Sequence, residues 1–230
     1  MSFRKTPLSL AVLTMAVAIP AHADSASQVP TEEVIVTADF RQTDVQSIAE
    51  ATTVVGAAAI EQRSADHLES LLALAPNVNF SSGASRGRYF QIRGIGERSQ
   101  FIDPVNPSVG LRVDGIDMTG LGGGAGLFDV QQVEVLRGPQ GTRFGANALA
   151  GMINIESNDP TADFEGMVSG KLGNYNTKAL GVVVSGEVGP GLNMRLSAHQ
   201  NRSDGYIHNA YSGRDDTNNI DEQLLRLKGN

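Results

Sequence analysis

The chain contains 230 residues, of which 40% are hydrophobic and 19% charged, and its formal net charge is −7. This length allows one or two domains with a buried core, whereas the acidic balance argues against a nucleic-acid-binding surface. Cysteine is absent and aromatic residues make up 5% of the chain, which excludes a disulfide framework or a thiolate metal site and argues against a large aromatic core.

Residues 1–23 have the pattern of a secretory signal peptide. Arg4 and Lys5 give a positive start, residues 8–19 are apolar, and Ala21-His22-Ala23 fits a small-x-small cleavage site before Asp24. The alternative is a transmembrane anchor, but this apolar run spans only about 18 Å as a helix and a bilayer core is about 30 Å thick. We therefore expect an exported protein.

Residues 24–40 form a short tail that contains a run of β-forming residues. The run consists of Glu32, Glu33, Val34, Ile35, Val36, Thr37 and Ala38. It fits two structures, namely a strand that adds to the sheet edge of another protein or an ordinary edge strand of the following domain. Periodicity alone favours the second.

Residues 41–160 have the pattern of a mixed α+β domain, a small mixed sheet with short helices. Residues 57–63 fit a helical turn, and short strands or turns are predicted at residues 45–50, 54–55, 78–80, 90–94 and 109–115. Asp114-Gly115 closes the last of these strands, because this dipeptide favours a tight hairpin turn.

A longer helix is predicted over residues 66–75. Its apolar residues recur at three- and four-residue spacing, at Leu68, Leu71, Leu72 and Ala75. Ser64 or Asp66 is expected to cap the helix, and Pro76-Asn77 to end it. The apolar stripe predicts core residues.

The stretch 133–155 predicts a strand, a tight turn, a compact crossover and a second strand. The turn motif is Gly138, Pro139, Gln140 and Gly141. Pro139 fixes φ for the turn, and the small residues that follow allow another backbone to approach closely. The second strand is expected at residues 152–155.

These motifs resemble the plug domain of TonB-dependent outer-membrane receptors. The matching segments are VEVLRGPQGTRFGANALAGMINI at 133–155, L-x-x-L-L-x-x-x-P-x-V at 68–78, IRG at 92–94 and VDG at 113–115. The resemblance implies that residues 32–38 are a TonB box, the segment on which the energising protein TonB is thought to pull. It therefore favours strand addition to another protein.

Three polar or glycine-rich loops are expected at residues 81–88, 95–108 and 118–126. The resemblance places them as outward-facing apices of the plug. The candidate substrate-facing residues are Arg98, Gln100, Phe101, Asp103 and Asn106. The alternative is that these side chains merely line the pore or solubilise the loops, since their spacing specifies no ligand.

Three charged residues, Arg93, Glu134 and Arg137, are expected at strand ends that face turns. In the family that the chain resembles, plug arginines pair with acidic residues of the barrel wall and hold the plug in place. The alternative is a surface pair of little energetic weight.

After Pro160 the chain alternates between apolar and polar residues. The clearest segment has Leu192, Met194, Leu196 and Ala198 on one face and Asn193, Arg195, Ser197 and His199 on the other. Such alternation is typical of outer-membrane barrel strands, although an edge of a soluble β-sandwich would give the same pattern. We expect residues 161–230 to supply about four strands, with a tight turn at 189–191 and a long polar loop at 202–220.

The sequence contains no strong motif for catalysis, metal binding or nucleotide binding. The four histidines are not paired at ligand spacing, and the acidic run 215–222 lacks the glycine and alternate oxygens of an EF-hand. No phosphate loop, dinucleotide fingerprint or nucleophile elbow is present. We therefore expect neither an enzyme nor a cofactor or metal.

The resemblance implies the plug and first barrel strands of a receptor for active uptake of a scarce nutrient, and the frequency of substrates within that family makes an iron–siderophore complex the expected substrate class. The expected partners are TonB, outer-membrane lipid and the small-molecule nutrient. Because family barrels have roughly 22 strands, the chain is expected to be part of a longer receptor or the product of a broken gene. Two alternatives remain, namely a soluble periplasmic plug-like binding protein and a passive porin or adhesin fragment.

Overall fold

The computed structural model describes residues 35–36, 43–44, 51–82, 86–99, 103–121 and 126–230. All of them belong to one compact unit, Val34–Asn230. The strands are β1 (Ile35–Val36), β2 (Thr43–Asp44), β3 (Ala51–Gly56), β4 (Val78–Ser81), β5 (Tyr89–Ile92), β6 (Val109–Val113), β7 (Ile116–Asp117), β8 (Val130–Arg137), β9 (Gly151–Ser157), β10 (Glu165–Leu172), β11 (Lys178–Gly189), β12 (Leu192–Ser203), β13 (Ile207–Asn209), β14 (Arg214–Thr217) and β15 (Ile220–Gly229). The helices are α1 (Ala57–Gln62), α2 (Glu69–Leu72) and α3 (Gly141–Phe144).

A five-stranded sheet with the order β3-β8-β9-β6-β7 organises the first domain. Strands β6 and β9 are parallel, and the other neighbours are antiparallel. The hairpin between β6 and β7 turns at Asp114 and Gly115, which both have positive φ, as the Asp-Gly dipeptide predicts. The predicted mixed α+β architecture is therefore confirmed.

Side chains alternate between the two faces of the central strands, and the apolar ones on one face form the main core. Val133 and Val135 of β8 and Ile153 and Ile155 of β9 are buried on the same face of the sheet. The apolar residues of segment 66–75 pack on this face, as predicted, and so do Phe90 and Ile92 of β5.

The predicted helix over residues 66–75 is wrong in extent, because only α2 is helical. The Asp66 carbonyl accepts a hydrogen bond from the Leu127 amide, and His67 forms an isolated β-bridge with Gly126. These long-range bonds hold the backbone before α2 in an extended pairing. After α2, the Leu74 and Ala75 amides bond to carbonyls three residues back, which is 3₁₀ geometry.

The predicted caps of this helix are also wrong. The N-cap position is Leu68, with no side-chain cap hydrogen bond. The carboxylate of Asp66 instead lies 2.8 Å from Lys171 Nζ in β10. The helix ends at Leu72, before Pro76-Asn77.

Strand β1 pairs with β2 in antiparallel register. Val36 is fully buried against Leu136, Ala148 and Met152, on the sheet face opposite the main core. The signal-peptide prediction, the predicted elements at 45–50 and box residues Glu32, Glu33, Val34, Thr37 and Ala38 lie outside the described residues.

A second sheet contains the long strands in the order β10-β11-β12-β15, all antiparallel. The tight turn at 189–191 joins β11 to β12 as predicted. The predicted loop at 202–220 is shorter than expected, because β12 runs to Ser203 and the hairpin β13–β14 occupies the middle of the segment.

Alternation in the long strands separates two faces. Leu225, Leu227, Val168 and Leu172 are between 63% and 85% exposed on the outer face. Arg195, Ser197 and Asn201, by contrast, are buried on the opposite face. Val183 is buried beside Ser197 on that face and interrupts the sequence pattern of β11.

None of the helices in the described part of the chain is long and apolar enough to cross a membrane.

Candidate functional site

Arg88 joins the three predicted loops. It is the last residue of the first loop, its Nη2 lies 2.8 Å from Asp103 Oδ1 in the second, and its Nε donates to the Gly120 carbonyl in the third at 3.1 Å. The neighbouring Tyr89 hydroxyl donates to the same Asp103 oxygen at 2.9 Å. We call Arg88, Tyr89, Asp103 and Gly120 the Arg88 cluster.

Tyr89 is the buried member of this cluster. Its burial and its hydrogen bond to Asp103 raise the pKa of the phenol above the ordinary value. Tyr89 therefore keeps its proton at neutral pH and remains a hydrogen-bond donor to the loop that contains Asp103.

Arg86 connects the first loop to both domains. Its Nε lies 3.0 Å from Glu222 Oε1 in β15, and its Nη1 lies 3.4 Å from Glu69 Oε2 in α2. The Gly87 amide also donates to the Glu69 carboxylate. The loop is thus held between the core helix and the long-strand sheet.

The predicted substrate-facing residues do not form one site in the described part of the chain. Asp103 joins the Arg88 cluster, whereas Arg98 and Asn106 are exposed. Gln100 and Phe101 lie outside the described residues. Contact of the five predicted residues with substrate stays a prediction. Arg88, which positions the loops, was not identified as a candidate from the sequence.

A buried ion pair joins the first domain to the long-strand sheet. Asp129 Oδ1 and Oδ2 accept from Arg195 Nη2 and Nε at 2.7 and 2.8 Å. The two side chains are 2% and 7% exposed. Ser197 and Asn158 also donate to Asp129, and Glu165 pairs with Arg195 at 2.9 Å.

The surroundings of Asp129 favour its charged form. Burial alone would raise the pKa of this carboxyl, but hydrogen bonds from Arg195, Ser197 and Asn158 outweigh burial and lower the pKa below its ordinary value. Asp129 is therefore ionised throughout the physiological pH range. The positive charge of Arg195 balances its buried negative charge.

Phe128, the preceding residue, packs into the strand wall. Its ring stacks on His199 with centroids 4.7 Å apart and planes 13° apart. A Cβ at Gly181 would lie 2.5 Å from Phe128 Cζ, so the space for the ring exists only because residue 181 has no side chain. The Phe128 carbonyl accepts from Arg226 Nη1 at 3.0 Å.

Further ion pairs link the domains on either side of this contact. Lys171 pairs with Asp66, and Lys228 lies 2.8 Å from Asp159 and 3.5 Å from Asp114. Lys228 Nζ also donates to the Ser157 carbonyl. The polar faces of β10, β12 and β15 thus meet the first domain at several points.

The predicted plug–barrel residues have their described contacts within the first domain. Glu134 lies in the middle of β8 rather than at a strand end, fully buried, and accepts from Gln132 and Asn154 at 2.6 and 3.1 Å. Arg137 donates to the carbonyls of Ala51 and Pro76.

Arg93 is exposed, with a positive φ of 55° after β5. Pairing of Arg93, Glu134 or Arg137 with a barrel wall stays a prediction. The sequence did place Arg195 on the polar face of its strand, but no local signal identified Asp129 as its partner.

The predicted turn motif closes onto the start of β9. The amides of Gly138 and Gln140 donate to the carbonyls of Ala150 and Ala148. Gln140 is 1% exposed, and Gly138 has a φ of 139°, which favours glycine. The motif therefore fixes the crossover between the two central strands.

Within the described ranges, no group of three or more histidine, aspartate or glutamate side chains is arranged to hold a metal ion.

Comparison with known proteins covers both sheets. A family model described as TonB-dependent Receptor Plug Domain matches residues 44–152. The pesticin receptor of Yersinia pestis is 29% identical over 217 residues, which are 93% of this chain and 31% of that protein. The vitamin B12 transporter BtuB of Vibrio vulnificus is 29% identical over 153 residues, which are 64% of this chain and 24% of that protein.

Among solved structures, the ferric yersiniabactin uptake receptor FyuA from Yersinia pestis has a TM-score of 0.68 and 28% sequence identity. The match covers 78% of this chain and 28% of that one. The chain spans less than a third of the length of the curated relatives described above.

Proposed function

We propose, because this chain belongs to the TonB-dependent receptor family, that it supplies the plug domain and first barrel strands of a receptor for energised uptake of a scarce nutrient. Receptors of this family are located in the outer membrane, and so is this chain. Residues 1–23 are proposed as signal peptide, 24–40 as periplasmic tail with the TonB box, 41–160 as plug and 161–230 as barrel strands.

The observation that carries this proposal is the contact between the two domains. A barrel strand must present polar side chains to the lumen and apolar side chains to lipid. In β12 and β15 the lumen-side residues Arg195 and Arg226 bind Asp129 and Phe128 of the first domain, while Leu225 and Leu227 of β15 are exposed on the other face. The first domain therefore lies where a plug would lie, and the outer face suits membrane lipid.

An iron–siderophore complex is the proposed substrate class. The support is the similarity to FyuA, which is described as a ferric yersiniabactin uptake receptor. The loops tied by Arg86 and Arg88 are proposed to face the substrate entrance, since Arg86 contacts β15 on the side of the β12–β15 connection. Substrate binding there would change the exposure of the TonB box.

Energy is proposed to reach the plug through residues 32–38. Main-chain pairing gives affinity when an extended segment adds to the sheet edge of a partner. Ile35–Val36 is already extended and paired with β2, so the same backbone groups could pair instead with TonB. This exchange would pull on a segment whose Val36 is packed against the plug.

The test is uptake of radiolabelled iron by cells that express the complete receptor, with and without TonB. A panel of ferric siderophores is supplied, together with labelled cobalamin, because a vitamin B12 transporter is among the relatives. Accumulation of one ferric siderophore that requires TonB supports the proposal. Accumulation of cobalamin alone would replace the substrate, and equal accumulation without TonB would contradict energised uptake.

A further inference from the structure

The outward-facing residues of the long strands form rows across the sheet, because Cα partners on neighbouring antiparallel strands point to the same face. One row consists of Val168, Val182, Ala198 and Leu225. The next row toward the periplasmic turn consists of Gly166, Val184, Leu196 and Leu227. Neither row contains a polar side chain. These two rows therefore mark the part of the outer face that suits the hydrocarbon of a membrane.

The rows become polar toward the outer loops. The first row beyond Ala198 consists of Gly170, Leu180, Gln200 and Gln223. The second consists of Leu172, Lys178, Arg202 and Asp221, and we call it the outer row. Along β12 it lies four residue steps, or about 13 Å, from the apolar row through Ala198. With the apolar rows in hydrocarbon, the outer row lies at the level of the lipid headgroups.

The outer row contains two cations and one carboxylate. Arg202 Nε lies 3.0 Å from Asp221 Oδ1, and the two side chains are 59% and 53% exposed. Lys178 has Leu172 and Arg202 as its cross-strand partners, and like charges directly opposite each other in a sheet are destabilising. Among the side chains that the structure describes, no carboxylate forms an ion pair with Lys178. The row therefore has an excess of one positive charge.

Two tyrosines lie directly beyond the outer row. Tyr175 belongs to the connection between β10 and β11, and Tyr206 follows β12. Their ring centroids are 6.1 Å apart, and the residues are 60% and 65% exposed. The Asp204 amide donates to the Tyr175 carbonyl at 2.9 Å, which ties the two connections together. Because tyrosine has an apolar ring and a polar hydroxyl, it is enriched where a membrane protein meets the headgroup region.

We propose that Lys178 and Arg202 bind the phosphate of a lipid headgroup in the outer leaflet, with Tyr175 and Tyr206 beside it. A phosphate offers several oxygen acceptors and negative charge, so one group can bind both cations and offset their repulsion. Arg202 donates to Asp221 through Nε, and its two terminal amino groups are left to donate to phosphate. The inference rests on the proposed function for the position of the sheet in the membrane.

The test measures lipid binding to the purified complete receptor in a nonionic detergent by native mass spectrometry. Two lipids with the same acyl chains are compared, namely dioleoylphosphatidic acid, which carries a phosphate, and dioleoylglycerol, which carries none. We expect the phosphatidic acid to bind more tightly. Lys178→Gln and Arg202→Gln should each weaken its binding about fivefold, whereas binding of dioleoylglycerol should be unchanged.

Asp221→Asn should have the opposite effect. Removing this carboxylate frees Arg202, so the phosphatidic acid should bind more tightly than it does to the wild type. The matched control is Glu187→Gln, which changes the net charge equally at the other end of β11 and should have no effect. Arg63→Gln removes an exposed cation of the plug and should have no effect either.

Equal affinity for the two lipids, unchanged affinity in Lys178→Gln or equal effects of Asp221→Asn and Glu187→Gln would overturn the proposal. Complete displacement of the phosphatidic acid by inorganic phosphate would also overturn it, because the site would then take a free anion. Lipid binding needs neither substrate nor TonB. A receptor that binds the phosphatidic acid as expected but accumulates no nutrient would contradict the uptake proposal alone.

Discussion

Arg195 of β12 and Asp129 of the plug form a two-bond ion pair in which both side chains are buried. The pair joins two segments that are far apart in the sequence. Asp129 directly follows Phe128, whose ring packs against the barrel wall. The seating of the plug therefore depends on a charge that has almost no access to water.

Replacing one member of this pair leaves the other charge buried without its partner. Arg195→Ala should destabilise the plug by about 3–5 kcal/mol. Hydrogen exchange of the β8 and β9 amides in the complete receptor, measured against urea, gives this free energy. The matched control is Arg202→Ala, because Arg202 and Asp221 form an exposed pair in the same sheet and should change stability by less than about 1 kcal/mol. Equal effects of the two substitutions would contradict the role assigned to the buried pair.

The lowered pKa of Asp129 predicts a loss of plug stability in acid. Because the pKa in the folded protein lies below the unfolded value of about 3.9, the stabilisation is fully present above that value and disappears as pH falls through the folded pKa. The difference in urea resistance between the wild type and Asp129→Asn should therefore shrink as pH falls below about 4. A difference that stays constant from pH 7 to strongly acidic pH would show that another group controls acid sensitivity.

Gly181 provides the space for the Phe128 ring. Gly181→Ala should destabilise the plug–barrel contact by about 1–3 kcal/mol, because the new methyl group overlaps the Phe128 ring and the Ser169 hydroxyl. Gly170→Ala, in a neighbouring strand with nothing within 4 Å of the added Cβ, should be neutral. When Phe128 is also replaced by alanine, Gly181→Ala should destabilise the contact less than it does in the wild type. If Gly170→Ala costs as much as Gly181→Ala, the effect arises from strand backbone and not from the ring.

Arg88 is expected to control loop order rather than global stability. Arg88→Ala removes the links to Asp103 and Gly120, so a protease added to intact cells should cleave within residues 103–121 faster. Global stability should change by less than about 1 kcal/mol, because the ion pair is partly exposed. Arg98→Ala, at an exposed position in the adjoining loop, serves as control. Unchanged cleavage in the Arg88 variant would show that the three loops are held by other contacts.

Local patterns predicted the elements whose structure depends on their own residues. The strands around 133–136 and 152–155 follow from their β-forming composition and from the turn residues between them. The helix at 66–75 was overestimated because Asp66 and His67 bond to Leu127 and Gly126, which are close only in the folded chain. The burial of Leu68, Leu71, Leu72 and Ala75 was nevertheless predicted, since their spacing suits either geometry.

The candidate site was less predictable than the fold. Alternation placed Arg195 on the polar face of β12, but the choice of Asp129 as partner depends on how two sheets pack. Arg88 looked like an ordinary loop residue, because its role comes from contacts with two other loops. Glu134 was expected at a strand end, whereas it is buried in mid-strand and held by amide side chains of Gln132 and Asn154.

The most direct test of energised uptake is Ile35→Pro in the complete receptor. Proline removes a backbone donor and disrupts strand pairing, so TonB should lose its hold on the segment. Surface binding of the labelled ferric siderophore should be unchanged, and its TonB-dependent accumulation should fall to the level of cells without TonB. Accumulation at the wild-type rate would contradict the assignment of residues 32–38 as the TonB box.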